Sequence, residues 1–250
     1  PTGISTPTGA GTNSNPYQIS TLGELRWISQ ETNRWGLVYK QTANIDADPT
    51  INLNNGAGFI PIGNTTTAFT GKYDGQGFWI DDLHINRGSS SEIGLFGVVN
   101  AGVITNIKLY DASIVGNNRV GALVGDVTGN STISSITVVG SSITGSVTVG
   151  GVIGRTSSSG VHNYLAYSGK VSAIFNPSGN VNNQSIGANA GGVIGKMQNH
   201  TRLYRSYFNG QISGRSAVGG IVGNSTPQVS VYNSYSIGRI QGYSVVGGIF

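Results

Sequence analysis

The sequence predicts an all-β protein that folds as a parallel β-solenoid of about 28 residues per coil. Forty of its 250 residues are Gly and only 10% are charged, and the scarcity of helix formers favours β-structure with many turns. A glycine-rich hexamer recurs at nearly constant spacing, as VGALVG (120–125), VGGVIG (149–154), AGGVIG (190–195) and VGGIVG (218–223). These observations indicate a stacked repeat in which each unit continues the core of its neighbour.

The spacing of the hexamer defines the repeat. Counted from a shorter relative, IGLFG at 93–97, the last glycines of successive copies are 28, 29, 41 and 28 residues apart. Each interval is long enough for three short strands of roughly four to seven residues joined by tight turns. Stacking would pair equivalent strands in parallel, so we expect the hexamer to form a strand and a corner of each coil.

A second segment recurs within each interval and ends at a position that favours a turn. Both Gly and Asp accept left-handed backbone angles, so we expect a turn at this position. The longest interval carries about 13 extra residues, rich in Asn, Ser and Gly, which predicts a loop insertion at about 174–189. The turn positions are Asp111, Gly140, Gly169, Gly210 and Gly238.

The N-terminal part differs from the repeats. We expect residues 1–92 to form a cap and the first coils, and residues 93–250 to form repeat coils of the same single domain. Thr21 and Glu24 make the capping box that begins a helix. An amphipathic helix there would cover the open end of the solenoid. Its apolar residues recur at helical spacing, at Ile19, Leu22, Leu25 and Ile28.

The order of these segments resembles that of bacterial extracellular proteins with GLUG repeats. The resemblance rests on NPYQIST-LGEL, then ANID, then FIPIG, then FTGKYDGQG, followed by the repeated VGGIVG. It implies a right-handed parallel β-helix with an N-terminal helical cap, at the bacterial cell surface or outside the cell. GLUG repeats are known in surface adhesins, haemagglutinin-like proteins and the non-catalytic regions of immunoglobulin-A-cleaving zinc peptidases.

Charge is unevenly distributed along the chain. All ten acidic residues lie in residues 1–126, which carry a net charge of −3, whereas residues 127–250 have seven bases and no acid. The sequence has no basic run, which favours a neutral surface dotted with isolated bases over one that attracts polyanions, and we expect no nucleic-acid partner. No apolar run approaches the roughly 18–20 residues of a membrane-spanning segment.

The motifs of several enzyme classes are absent. The sequence has no Cys and no H-E-x-x-H, which excludes thiolate metal sites and the usual zinc peptidase site. Glycosidases need two carboxyl groups at one cleft, whereas the adjacent Asp81 and Asp82 would point to opposite faces of a strand. We therefore expect no enzyme activity, with a polysaccharide-active β-helix as an alternative. His162 stands where other repeats have an apolar residue, and we expect it to be partly buried at a coil corner.

One oxygen-rich stretch could hold a cation. Asp46, Asp48, Asn52 and Asn54 lie at alternate positions in NIDADPTINLNNG, which is compatible with a Ca²⁺ site but lacks the fixed spacing and the Glu of an EF-hand. We expect a solvent-facing loop and no cofactor, and keep Ca²⁺ as the alternative.

Tyrosines mark a candidate ligand-binding strip. They recur at two repeat positions in neighbouring copies, where they would either stack along an exposed face or pack at a corner of the core. The predicted strip comprises Tyr204, Arg205, Tyr207, Tyr232, Tyr235 and Arg239.

These features predict a secreted or cell-surface adhesive or structural module, which binds an extracellular glycan or protein through a rigid repeat surface. Self-association by end-to-end stacking is a further expectation. The alternatives are the non-catalytic stalk of a larger surface peptidase and a polysaccharide-active enzyme.

Overall fold

The computed structural model describes residues 3–157, 159–173 and 188–249. Within these ranges the chain is mainly β-structure, and every pairing between its strands is parallel. Most of the predicted loop insertion, residues 174–187, lies outside the described residues. The proposed boundary between residues 92 and 93 stays a prediction.

Three parallel sheets contain the strands. Sheet B has five strands, Phe96–Asn100, Val124–Thr128, Ile153–Thr156, Ile194–Met197 and Val222–Ser225. Sheet C has four, Thr148–Gly150, Asn189–Gly191, Ala217–Gly219 and Val245–Gly247. Sheet A has fourteen, Tyr17–Ile19, Val38–Gln41, Ile45–Asp46, Lys72–Asp74, Trp79–Asp81, His84–Asn86, Val103–Tyr110, Ser113–Val115, Thr132–Gly145, Val161–Ala173, Arg202–Tyr204, Tyr207–Ser213, Ser230–Tyr232 and Tyr235–Gln241.

Strand pairing follows the repeat that the sequence predicts. Val124 lies beside Phe96 on one side and Ile153 on the other, and Ile136 lies between Ile107 and Leu165. Apolar side chains at equivalent positions therefore pack against one another between neighbouring repeats, and the buried apolar side chains form one continuous cluster. Strand lengths differ from the expected four to seven residues, because some strands have three residues whereas Thr132–Gly145 has fourteen.

The hexamer forms a corner between sheets C and B, with short strands on both sides. In VGGVIG, Thr148–Gly150 belongs to sheet C and Ile153–Thr156 to sheet B. A Cβ on Gly150 would overlap the carbonyl oxygen of Ile153, and a Cβ on Gly154 would lie 2.5 Å from the carbonyl carbon of Arg119. The hexamer is glycine-rich because its two backbone segments approach too closely for side chains.

The positive φ expected at the end of the second segment is present in all five copies, but the expected turn is not, because the position lies inside a strand in every copy except that of Asp111. Asp111 has φ 48° and Gly140 has φ 70°. The same position has φ between 134° and 153° at Gly169, Gly210 and Gly238.

The predicted N-terminal helix is also confirmed, as Leu22–Ser29. Thr21 and Glu24 form the expected capping box, and Leu22, Leu25 and Ile28 are buried as expected. Ile19 is also buried but ends the strand Tyr17–Ile19 and does not belong to the helix. Trp35 fastens the helix because its Nε1 donates a 2.9 Å hydrogen bond to the carbonyl oxygen of Ile28. Two 3₁₀ segments follow, Thr32–Arg34 and Asp48–Gly56.

Candidate functional site

A residue with left-handed backbone angles recurs at one bend of sheet A in five successive repeats. The φ values at this position lie between 47° and 58°, a conformation that is costly for most residues other than Gly and Asn. These residues have half-buried or exposed side chains, so the bend presents a row of varied side chains to solvent. We call this row the turn column, and it comprises Asn106, Ser135, Tyr164, Arg205 and Asn233.

A groove of about 590 Å³ runs along the turn column. Its other side is the outward row two residues further along each strand, where Lys108, Thr137, Ala166 and Tyr207 occupy equivalent positions. Four adjacent strands at ~4.8 Å spacing make this row ~14 Å long. The groove is lined by Gln76, Gly77, Asn106, Lys108, Ser135, Thr137, Tyr164, Ala166, Arg205 and Tyr207.

Aromatic rings concentrate at one end of the groove. The Arg205 guanidinium carbon lies 5.4 Å from the centroid of the Tyr164 ring, within the range of a cation–π contact. The Tyr207 ring stacks on that of Tyr235, with centroids 5.7 Å apart and an interplanar angle of 12°. The groove therefore has a flat apolar surface beside a positive charge.

The second predicted tyrosine pair stacks in the same way beside the turn column. Tyr204 and Tyr232 have centroids 4.9 Å apart at 15°. The side chains of Tyr232 and Tyr235 are about half exposed, at 47% and 55%, and their partners in the preceding repeat are half-buried. Both tyrosine rows thus face outward, as an interaction surface requires.

Amide groups are fixed at the other end of the groove by Asp74. Its carboxylate accepts hydrogen bonds from the backbone N–H of Gln76 at 3.0 Å and from Nδ2 of Asn106 at 2.9 Å. Nε2 of Gln76 donates a further, short bond to the same carboxylate. These bonds hold two amide side chains in place at the groove.

The structure places Arg239 away from the tyrosines. It lies beyond Gly238, in register with Gln211 and Lys170, and lines a separate depression of about 220 Å³. The predicted strip is therefore divided between two surfaces, and of its residues Arg205 and Tyr207 line the main groove.

The predicted cation ligands lie in a region of concentrated negative charge. Oδ1 of Asp46 accepts a 3.0 Å hydrogen bond from the backbone N–H of Asp48, the first residue of the 3₁₀ segment. Desolvation, and then the carboxylates of Asp81, Asp111, Asp48 and Asp46, raise the pKa of Asp82. No group of three or more His, Asp or Glu side chains in the described ranges is placed to hold a metal ion, and Ca²⁺ binding stays a prediction.

His162 is not at a corner, contrary to the expectation. It lies inside the strand Val161–Ala173 and is fully buried, in register with Ile133 and Leu203. Nε2 is 3.2 Å from Oγ1 of Thr156, whereas Nδ1 has no hydrogen-bond partner among the described residues. Burial lowers the pKa of His162 to about 4, so the ring is neutral at pH 7.

Several groove residues were missed from sequence. Tyr164 falls one position away from the repeated tyrosine rows, because it aligns with Arg205 instead of Tyr204. The available signal was the alignment of the second segments, which brings Lys108, Thr137 and Tyr207 into one row.

The fold and groove define a repeat protein of parallel sheets with an outward-facing candidate binding surface. No family model matches the chain. In fold it is similar to a candidate immunoglobulin A1 protease from Bacteroides ovatus, whose crystal structure aligns with a TM-score of 0.64 over 96% of this chain and 86% of that one, at 16% identity. At this identity the likeness concerns the fold alone.

Two relatives match about half of the chain in sequence. Halomucin from Haloquadratum walsbyi is 42% identical over 139 residues, which are 53% of this chain and 2% of halomucin. A candidate Gly-rich membrane protein from Evansella cellulosilytica is 37% identical over 125 residues, which are 49% of this chain and 14% of that protein. The chain therefore matches only a small part of either relative. No helix in the described part of the chain is long and apolar enough to cross a membrane.

Proposed function

We propose that the chain is a right-handed parallel β-helix of the GLUG-repeat type, outside the cell or on its surface, which binds an extended polysaccharide without catalysis. Sheets A, B and C support the helical winding, because successive repeats contribute strands to each sheet and pair them with the same strand of the next repeat. A surface location agrees with the name of the Evansella relative, a Gly-rich membrane protein.

The groove along the turn column is the observation that carries the binding proposal. It crosses successive repeats without interruption, so its shape suits an extended polymer. Tyr164 and Tyr207 contribute aromatic surface to the groove, against which the C–H groups of sugar rings would pack, although the Arg205 guanidinium covers one face of Tyr164 and the Tyr235 ring one face of Tyr207. Ser135, Thr137 and Asn106 offer hydroxyl and amide groups, which hydrogen-bond sugar hydroxyls as donors and acceptors.

The composition of the groove supports binding in preference to hydrolysis. Its ten described lining residues include no Asp or Glu, whereas glycoside hydrolysis generally uses two carboxyl groups that flank the scissile bond. An adhesive or structural role needs no such pair, because multipoint contact along a rigid surface is sufficient.

The likeness to a candidate immunoglobulin A1 protease favours a second function, that of a non-catalytic stalk in a larger surface peptidase. Under that proposal the groove would have no glycan ligand, and a peptidase motif would be encoded elsewhere in the same gene.

A glycan array followed by calorimetric titration of the best ligand tests the main proposal. We expect Tyr164→Ala and Tyr207→Ala each to weaken binding about tenfold, since each removes a stacking surface worth about 1.4 kcal/mol. Tyr243→Ala is the matched control, because Tyr243 is 91% exposed and lies outside the groove. If the wild-type protein bound no glycan on the array, the result would contradict glycan binding and favour the role of a non-catalytic stalk.

A further inference from the structure

Two cationic side chains lie at separate points along the groove and have no ion-pair partner among the described residues. Lys108 belongs to the second repeat that lines the groove and Arg205 to the fifth, so three strand spacings separate them, ~14 Å along the groove. The ion pairs in the described part of the chain lie elsewhere and join Glu92, Arg119, Asp126 and Arg155.

The surroundings leave these two charges available to a ligand. The stretch between them is neutral, formed by Ser135, Thr137 and Ala166 together with the ring of Tyr164. Residues 127–250 contain no acid, so they supply no side-chain carboxylate to the Arg205 end of the groove. Asp74 is the acid beside the other end, and its carboxylate already accepts hydrogen bonds from Gln76 and Asn106.

Arg205 is also held in an orientation suited to an anion. Its guanidinium lies over the Tyr164 ring, which restricts the side chain before a ligand arrives. A guanidinium presents a planar set of donors that matches the two oxygens of a carboxylate or the oxygens of a sulfate.

We infer that the ligand of the groove is an acidic polysaccharide, whose carboxylate or sulfate groups bind Lys108 and Arg205 while the sugars between them pack on Tyr164 and Tyr207. This inference rests on the proposed polysaccharide-binding function and specifies its ligand. Two cations ~14 Å apart, with hydroxyl-bearing and aromatic side chains between them, suit a polymer that offers anionic groups together with sugar hydroxyls and ring C–H groups. Single-stranded nucleic acid is generally bound in a continuous positively charged groove, whereas the stretch between Lys108 and Arg205 is neutral.

Calorimetry on the full chain tests the inference with a pair of matched ligands. Oligogalacturonate carries a carboxylate on each sugar, and its methyl ester has the same backbone without charge. We expect the acid form to bind at least tenfold more tightly than the ester, with an affinity that falls as salt rises. Dextran sulfate against neutral dextran distinguishes sulfate from carboxylate as the preferred group, and a strong preference for either acidic polymer supports the inference.

Each variant replaces a groove residue with the residue that occupies the equivalent position in another repeat. Lys108→Thr copies Thr137, and Arg205→Asn copies Asn106, so both substitutions suit the local backbone. We expect each to weaken oligogalacturonate binding about tenfold and to leave the ester unaffected, since a hydrogen bond to a charged group is worth about 1.5–3 kcal/mol. Arg239→Gln, which copies Gln211 in the separate depression, is the control and should change neither.

The possible outcomes distinguish the inference of an acidic ligand from the underlying proposal that the groove binds a polysaccharide. Equal binding of acid and ester, unchanged in both variants, would overturn the acidic ligand and leave polysaccharide binding standing. Failure of every polysaccharide to bind would overturn both. Equal competition by single-stranded poly-dT would overturn the inference in favour of a general polyanion site.

Discussion

Each repeat bends at the hexamer corner and again at the turn column, and the two bends follow opposite rules. The hexamer corner keeps glycine because a Cβ on Gly150 or Gly154 would run into backbone. The turn column contains Asn, Ser, Tyr and Arg, although its left-handed backbone would suit Gly as well. At Gly150 and Gly154 the neighbouring backbone leaves no room for a side chain, whereas at the turn column the side chains vary at a modest conformational cost.

The difference separates the residues that build the stack from those that can recognise a ligand. The hexamer corner holds sheets B and C in close approach, which explains why the hexamer dominates the sequence. The turn column lines the groove with four of its five residues, and these differ from repeat to repeat. A repeat protein can therefore vary its ligand along one bend without disturbing its architecture.

Substitution at the hexamer corner should have the largest effect. We expect Gly150→Ala to lower the free energy of unfolding by about 3 kcal/mol or more, because the new Cβ would overlap the carbonyl oxygen of Ile153. Urea denaturation followed by circular dichroism measures the change. Gly88→Ala is the control, since a Cβ there would meet only a Val115 methyl at 3.8 Å. Equal stability of the two variants would remove the close-approach explanation of the hexamer.

Protonation of His162, which is buried on the inner face of the strand Val161–Ala173, should lower the free energy of unfolding nearly as much as a substitution at the hexamer corner. The pKa of His162 is about 4 in the folded protein against about 6.5 when unfolded, so the unfolded state takes up the proton first as pH falls. Stability is retained above pH 6.5, and we expect about 3 kcal/mol to be lost as pH falls from 6.5 to 4.

His162→Leu, which copies Leu203, should abolish this loss when denaturation is repeated across the same pH range. His200→Asn, at an exposed position, serves as the control and should leave the acid sensitivity in place. An unchanged pH profile in His162→Leu would mean that the buried ring is not its source.

The smallest effect is expected within the turn column, with the opposite sign. Ser135 has φ 57° and an exposed side chain, so Ser135→Gly should relieve left-handed strain and raise the free energy of unfolding by about 0.5–1 kcal/mol. Ser142→Gly, in regular strand, should instead lower it by about 0.5–1 kcal/mol. Destabilisation by both substitutions would show that the two environments do not differ as described.

The structural features that depend on periodically repeated glycine or apolar residues could be predicted from the sequence. The hexamer spacing predicted parallel pairing, and Asp111 with its glycine equivalents predicted positive backbone φ angles, although most of these positions lie inside strands and not in turns. The turn column escaped prediction because its residue types share no preference that identifies a bend. The position of His162 was wrong because an inward strand position and a corner both accept an apolar residue in other copies.

The groove escaped prediction for a related reason. Its two sides come from positions that are two residues apart in one strand, and only the bend between them makes the surface concave. The tyrosine rows were found because they repeat, whereas Tyr164 occurs once at its position. A binding surface that varies between repeats leaves little periodic signal.

A crystal structure of the protein with bound oligogalacturonate tests the division between the two bends most directly. We predict that the sugar chain lies along the turn column, crosses successive repeats, and contacts Lys108, Tyr164 and Arg205. An oligosaccharide bound at the hexamer corners, or in the depression at Lys170 and Arg239, would contradict the account.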